Sequence, residues 1–100
     1  MEIQFKNNTL KKQYQSHAEA FSAYGKQVGK KYIGRINIIK RSRNIDELTA
    51  VRALKCHPLK GNRKGEWAVK LTGFARLIFT LKGENLEIAR IEEVSKHYDD

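Results

Sequence analysis

The chain has 100 residues, a length typical of one domain, and we therefore expect a single domain over residues 1–100. Hydrophobic residues make up 40% of it, which is enough for one small core and excludes a disordered tail.

The single Cys excludes an internal disulfide and favours a reducing, cytoplasmic location. No apolar run is long enough for a membrane span or a signal peptide, so no membrane partner is expected. One Cys and three scattered His residues fit no zinc-binding spacing, and we expect neither a metal nor a cofactor.

The formal net charge of +9 is unevenly distributed along the chain. Residues 1–43 contain ten basic and two acidic residues, and residues 52–76 contain seven basic and one acidic residue. Residues 84–100 reverse this balance, with six acidic and two basic residues. So basic a surface on a small protein predicts a polyanionic partner, either nucleic acid or an acidic protein.

The first half of the chain is predicted to be mainly helical. Met1–Phe5 alternates like a short strand, and Thr9–Tyr14 fits a short helix. Ser16 and Glu19 form a capping box that opens a long helix. The apolar residues of this helix recur every three or four positions: Phe21, Tyr24, Val28, Tyr32, Ile36 and Ile39. Three glycines interrupt it, and we expect close helix–sheet packing to explain them: Gly25, Gly29 and Gly34.

In the second half the pattern changes to the alternation that is typical of strands. Asn44, three residues before Glu47, caps a short helix that leads into this region. The predicted strands are Ala53–His57, Glu66–Thr72, Ala75–Leu81 and Leu86–Val94. Helices followed by antiparallel strands indicate the α+β class, and we expect the N-terminal strand and the helices to pack with one antiparallel sheet.

The stretch His57–Phe79 contains most of the residues that can carry chemistry. One end of the predicted hairpin brings together an imidazole and three cations: His57, Lys60, Arg63 and Lys64. On the next strand, Arg76 points away from the face that carries Leu77, because successive strand residues alternate. This arrangement predicts a binding site for an anion.

Cys56 is a possible nucleophile because His57 follows it directly. In a strand, however, neighbouring residues point to opposite faces and do not pair easily. We therefore expect Cys56 to be a small buried hydrophobic residue.

The same stretch resembles a family of bacterial toxins. The segment His57–Trp67, HPLKGNRKGEW, followed by Arg76–Phe79, RLIF, is similar to the hallmark of the RelE/ParE superfamily of type II toxins. The resemblance is strongest to its HigB-type branch, also known as host-inhibition or plasmid maintenance killer proteins. The opening residues IQFKNNTLKK and the closing residues EVSKHYDD resemble the ends of these toxins, so the similarity extends over nearly the whole chain.

This resemblance implies a compact RelE-like fold and a ribosome-dependent mRNA endonuclease that inhibits translation. It places the catalytic residues at the positions of five side chains here: His57, Lys60, Arg76, His97 and Tyr98. It implies three kinds of partner, namely a cognate helix-turn-helix antitoxin, the 70S ribosome with its mRNA, and operator DNA contacted only through the antitoxin. We further expect RNA contacts from the neighbouring basic residues Arg63, Lys64 and Lys70.

The residue types agree with metal-independent RNA cleavage. In that reaction the 2′-OH attacks its own phosphodiester, which requires a base, an acid and cations that stabilise the phosphorane. The fork of Arg76 matches phosphate oxygens, and Lys60 adds a second positive charge. His57 or His97 can exchange protons near neutral pH, and Tyr98 can stack on a base or assist the transfer.

The sequence departs from the family pattern at two places. Toxins of this family usually end in Asp-Tyr-His, whereas here His97 precedes Tyr98. The residue before the active-site Arg is often a large aromatic, whereas Ala75 follows Phe74 here. The alternatives are a toxin of the same fold that inhibits DNA gyrase, and a non-catalytic RNA-binding module.

Overall fold

The computed structural model describes residues 1–96, in which four α-helices accompany one five-stranded sheet. In chain order the elements are β1 Glu2–Phe5, α1 Asn8–Gln15, α2 His17–Tyr24, α3 Lys26–Arg41, α4 Ile45–Thr49, β2 His57–Pro58, β3 Glu66–Lys70, β4 Arg76–Lys82 and β5 Ile88–Ser95. Two short 3-10 turns, Arg52–Leu54 and Gly61–Arg63, lie in the connections. This arrangement confirms the predicted α+β class. None of the helices in the described part of the chain is long and apolar enough to cross a membrane.

The strands lie in the order β1-β5-β4-β3-β2, so the N-terminal strand joins the same sheet, as predicted. Strands β2 to β5 pair antiparallel, whereas β1 pairs parallel with β5. The sheet is therefore mixed. A register shift at Ile78/Phe79 leaves Glu92 as an additional residue on β5, which is the mark of a β-bulge.

The main core lies between the helices and one face of the sheet. From α3 it receives Tyr32, Ile36 and Ile39, and from β4 it receives Leu77 and Phe79, all fully buried. The Tyr32 hydroxyl donates to the backbone oxygen of Leu10 at 2.7 Å, which satisfies the one polar group of this large side chain. Half-buried residues extend the predicted helical stripe to the edge of the core: Phe21, Tyr24 and Val28.

The predicted long helix is in fact two helices. Half of the predicted capping box forms: the amide of Glu19 donates to the Ser16 side-chain oxygen at 3.3 Å, whereas the Ser16 amide donates to the backbone oxygen of Lys12 at 3.0 Å and not to Glu19. The helix that it opens ends at Tyr24, and α3 begins after Gly25, whose φ of 84° lies in a region that favours glycine. Because the apolar spacing continues across the break, the sequence pattern does not reveal it.

The other two glycines also act differently from the prediction, which attributed them to helix–sheet packing. A Cβ on Gly29 would lie 2.9 Å from the backbone oxygen of Ala20 and from a ring carbon of Phe21. Gly29 therefore permits close packing of α3 on α2, not on the sheet. A Cβ on Gly34 would meet nothing within 4 Å, so no contact inside the described structure requires that glycine.

The predicted strand Ala53–His57 is wrong over most of its length. Residues 52–54 form a 3-10 turn that buries Leu54, and Lys55 follows in the left-handed region with φ 47°. Only His57–Pro58 pairs with β3, as a two-residue edge strand. Pro58 has no amide proton, which suits it to the edge of a sheet.

Candidate functional site

The second face of the sheet, opposite the helices, carries most of the predicted site residues. Partners across a ladder project to the same side of a sheet. One row of partners runs His57–Ala68–Ile78–Glu93, and the next row runs Lys70–Arg76–Ser95. His57, Lys70 and Arg76 therefore share one face, in adjacent rows.

The loop between β2 and β3 covers part of this second face. Leu59 is buried against Ala68 and Ile78, and these three residues form a small cluster separate from the main core. The amide of Leu59 donates to the backbone oxygen of Glu66 at 2.8 Å, which fixes the start of the loop beside β3. Lys60, which follows Leu59, is exposed and lies beside a groove on this face.

His57 has a defined ring orientation at this groove. Its Nδ1 lies 2.8 Å from the backbone oxygen of Lys55, and because a carbonyl only accepts, Nδ1 carries the proton of this bond. In the neutral imidazole, Nε2 is then the basic nitrogen. Lys55, which supplies this carbonyl, has left-handed backbone with φ 47°. The groove has a volume of about 370 Å³, and its lining is His57, Pro58, Leu59, Lys60 and Arg63.

Arg76 is held by the turn that precedes its strand. Its Nη1 donates to the backbone oxygen of Thr72 at 2.9 Å and to that of Ala75 at 3.2 Å. These bonds orient a half-buried guanidinium at the beginning of β4. Ala75 is buried in the main core, whereas the aromatic ring of Phe74 is 70% exposed on the turn. The residue before the Arg therefore packs inward, and the neighbouring aromatic residue lies outside.

Arg63 is paired with two carboxylates. Its Nε donates to Glu66 Oε1 at 2.6 Å, and its Nη2 lies 3.5 Å from Glu93 Oε2. The hydrogen bond to Glu66 raises the pKa of Arg63 above its ordinary value. Sequence reasoning missed both acids. The spacing of three residues between Arg63 and Glu66 was a signal that could have revealed the first pair, but the Glu93 contact depends on strand order.

The remaining predicted residues that the structure describes do not line the groove. Lys64 is exposed and does not line the groove, although its amide closes the 3-10 turn on Gly61 at 3.1 Å. Lys70 is half-buried at the end of β3, where its backbone oxygen accepts a hydrogen bond from Arg35 Nε at 3.1 Å. His97 and Tyr98 lie outside the described residues. Among residues 1–96, no three His, Cys, Asp or Glu side chains form a possible metal-binding group.

The candidate anion site thus brings an oriented imidazole and several cations together, and two carboxylates hold one of these cations, Arg63. Lys60 is exposed at the groove, and Arg76 is held in the adjoining row. Cys56 is half-buried against the main core, and burial raises the pKa of its thiol to about 11. A thiol that resists ionisation is a poor nucleophile, in agreement with the prediction that Cys56 is a packing residue.

Solved structures of several bacterial proteins share this fold. The YoeB/ParE toxin from Agrobacterium tumefaciens superposes with a TM-score of 0.67 and 19% identity, over 98% of this chain and 100% of that chain. YafQ from E. coli gives a TM-score of 0.60 and 18% identity, over 95% of this chain and 91% of that chain. The YoeB-YefM complex from Staphylococcus aureus gives 0.62 and 21%, over 98% of both chains. At these identities the likeness establishes the fold.

The family is established by the sequence itself. Residues 3–93 match the HigB-like toxin family, which is described as the RelE-like toxin of the type II toxin–antitoxin system HigB. No curated protein sequence matches the chain significantly. The match covers β1 through most of β5, including His57, Lys60 and Arg76, and it confirms the resemblance seen in the HPLKGNRKGEW segment. The chain belongs to the HigB-like family of RelE-like toxins of type II toxin–antitoxin systems.

Proposed function

We propose that this type II toxin inhibits translation and growth by cutting mRNA on the ribosome, in the cytoplasm, and that a cognate antitoxin holds it in check. Family membership supports the toxin role, and the second face of the sheet supports the chemistry. The observation that carries the proposal is the placement of His57, Lys60 and Arg76 on one face of the sheet, with His57 and Arg76 each held by backbone carbonyls.

The spacing of these groups suits one phosphodiester. His57 and Arg76 lie on strands separated by β3, which is about 10 Å across the sheet, and one row apart, which is about 7 Å along it. The Arg76 guanidinium bonds here to the turn before β4, so we propose that it turns toward the row of His57 when a phosphodiester binds between them. Lys60 approaches the same region from the loop.

We assign the roles by charge and proton content. The 2′-OH attacks the adjacent phosphorus, its proton leaves to a base, the P–O5′ bond breaks, and an acid protonates the departing 5′ oxygen. The products are a 2′,3′-cyclic phosphate and a 5′-OH end. Nε2 of His57 suits the proton transfer, and Arg76 and Lys60 suit the negative charge of the phosphorane without a metal ion.

His97 and Tyr98 complete the proposed set, as the second proton-transfer group and as a stacking or proton-transfer residue. Lys64 and Lys70 are proposed RNA contacts, and Lys70 shares its row with Arg76. Within residues 1–96, the proposed set contains one oriented imidazole without an adjacent strong acid, so we expect it to be slow on flexible RNA. A ribosome that holds the codon in line would supply orientation, which is worth on the order of 7–11 kcal/mol in the best intramolecular cases.

The test compares cleavage of one mRNA, free and bound in a programmed 70S complex, at equal toxin concentration. We expect efficient cleavage inside the reading frame only on the ribosome, and loss of cleavage in the His57→Gln and Arg76→Ala variants. Arg90→Ala is the matched control. It also removes an Arg from the second face, but Arg90 pairs with Thr80, outside the rows that contain His57 and Arg76. Equal rates on free and bound mRNA would exclude ribosome dependence. A wild-type toxin that stops growth without cutting any transcript would exclude the nuclease.

A further inference from the structure

A second groove lies on the outward side of α3, away from the proposed catalytic face. The inward side of α3 packs on the sheet through Tyr32 and Ile36, so the groove and the catalytic residues belong to opposite sides of the molecule. Its volume is about 530 Å³. The residues that line it come from α3 alone: Gln27, Lys30, Lys31, Gly34, Arg35, Ile38 and Arg41.

The floor of this α3 groove carries no side chain at its centre and is apolar at one end. Gly34 lies mid-helix, and a Cβ there would meet nothing within 4 Å. A glycine inside a helix lowers stability relative to alanine, and here no internal contact accounts for it, in contrast to Gly29 on the inward side. Ile38, one turn further on, is half-buried and packs on the main core. The floor therefore permits a close approach of another backbone.

The rims of the groove are basic. Four cations surround the floor, namely Lys30, Lys31, Arg35 and Arg41, and the described residues that line the groove include no acid. Arg35 is fixed at one rim by its hydrogen bond to the backbone oxygen of Lys70. A partner that buries these rims must supply negative charge, because unpaired cations are costly to desolvate.

We propose that the α3 groove docks an acidic amphipathic helix of the antitoxin, with small or apolar residues against Gly34 and Ile38 and Asp or Glu toward the basic rims. The proposal rests on the proposed function, in which an antitoxin is the partner. A helix with an apolar stripe and acidic flanks matches both the floor and the rims, whereas a nucleic-acid backbone matches the rims alone. The bare Gly34 position admits the close backbone approach that helix packing uses.

The main test substitutes Gly34→Trp, which fills the floor without meeting any atom near its Cβ. The binding partner is the purified cognate antitoxin, and binding is measured by calorimetry. We expect an affinity loss of about 30-fold or more, as for a central contact of an interface. Ala23→Trp, at an exposed position of α2, is the matched control and should bind like the wild type. Unchanged affinity of a folded Gly34→Trp variant would overturn the proposal.

A second pair of variants tests the rims, and also covers the case in which Gly34→Trp does not fold. The double reversal Lys30→Glu/Lys31→Glu should weaken antitoxin binding and reduce its salt dependence, because rim charges act mainly on association. Lys12→Glu, on the exposed side of α1, should change neither. Equal antitoxin affinity of the double variant and the wild type would contradict the proposal that an acidic helix binds this groove.

The same variants are then tested against 70S ribosomes without antitoxin. Loss of ribosome binding with full antitoxin binding would assign the groove to RNA and overturn the proposal. Antitoxin binding can be measured whether or not the toxin cuts mRNA. If the wild type does not cut mRNA but the Gly34→Trp variant loses antitoxin binding, the proposed function is contradicted and the docking proposal is supported.

Discussion

Arg63 and Glu66 form an ion pair of 2.6 Å that joins the loop after β2 to the first residue of β3. The same guanidinium lies 3.5 Å from Glu93 on β5, so one side chain links the loop to two strands that are not neighbours. The loop begins with Leu59, buried on Ala68 and Ile78, and it carries Lys60. We infer that Arg63 positions this loop. This role explains the presence of Arg63 in the HPLKGNRKGEW segment without a direct contact to RNA.

The Glu66→Gln variant separates positioning from RNA contact for Arg63. Removal of the carboxylate charge weakens the pair, and for a partly exposed pair the loss of stability should stay within about 1 kcal/mol. If Arg63 positions the loop, cleavage on the ribosome should fall and the amides of the loop should exchange faster with solvent. If Arg63 binds RNA, releasing it from Glu66 should leave cleavage unchanged or raise it.

Glu84→Gln, in the exposed turn after β4, serves as the control for loss of one negative charge. Equal cleavage rates for Glu66→Gln, Glu84→Gln and the wild type would contradict the positioning role. Single-turnover cleavage and amide exchange are measured on the same preparations, so that a change in folding is separated from a change in activity.

Arg76 is predicted to bind phosphate in the transition state, and its variants should follow the geometry of the side chain. Arg76→Ala removes two hydrogen bonds to the 72–75 turn, which costs about 1–3 kcal/mol in total but leaves the main core intact. The Arg76→Ala variant should lose growth inhibition. The Arg76→Lys variant should keep only part of it, because Lys lacks the bidentate fork. A folded and fully toxic Arg76→Ala protein would refute this role. Circular dichroism confirms folding in each case.

Much of the sheet could be predicted because its alternation is local. Strand β4 buries Leu77 and Phe79 on one side and places Arg76 on the other, as the period of two requires. The parallel pairing of β1 with β5 could not be predicted, because it joins residues more than 80 positions apart, such as Ile3 and Ala89. Alternation predicts which face of the sheet a residue lies on, but not which strands pair with each other.

The candidate site was predictable in its residue types and less so in its contacts. His57, Lys60 and Arg63 line one groove, as their closeness in sequence suggested. The predicted strand from Ala53 failed because burial of Leu54 in a 3-10 turn outweighed an alternation of only five residues. The partners of Arg63 include Glu93 because a bulge displaces the register of β5, which no local pattern indicates.

Gly25 and Gly34 should respond in opposite ways to the same substitution. Gly25→Ala places a side chain at φ 84°, ψ 163°, a conformation nearly confined to glycine, and should destabilise the fold by roughly 1–3 kcal/mol. Gly34→Ala meets no neighbour and should stabilise α3 by about 1 kcal/mol. Urea unfolding of both variants measures the difference. Equal changes in the free energy of unfolding for the two variants would contradict the break between α2 and α3.

The last prediction concerns the dependence of stability on pH through Cys56. Burial raises the pKa of this thiol from 9.0 to about 11, so between these values the folded protein keeps a proton that the unfolded chain has lost. The unfolded state then binds fewer protons, and the free energy of unfolding falls as the pH rises from 9 to 11. Well below pH 9 the thiol is protonated in both states and contributes no pH dependence.

Burial also raises the pKa of Tyr24, which acts in the same direction, so the wild type must be compared with Cys56→Ala. We expect the stability of Cys56→Ala to decline less steeply over this range in urea unfolding at a series of pH values. Iodoacetamide should modify Cys56 slowly in the folded protein and rapidly in urea, because the thiolate is the reactive form. Parallel pH profiles for the two proteins, or rapid modification of the folded one at pH 8, would show that Cys56 is not desolvated in the core.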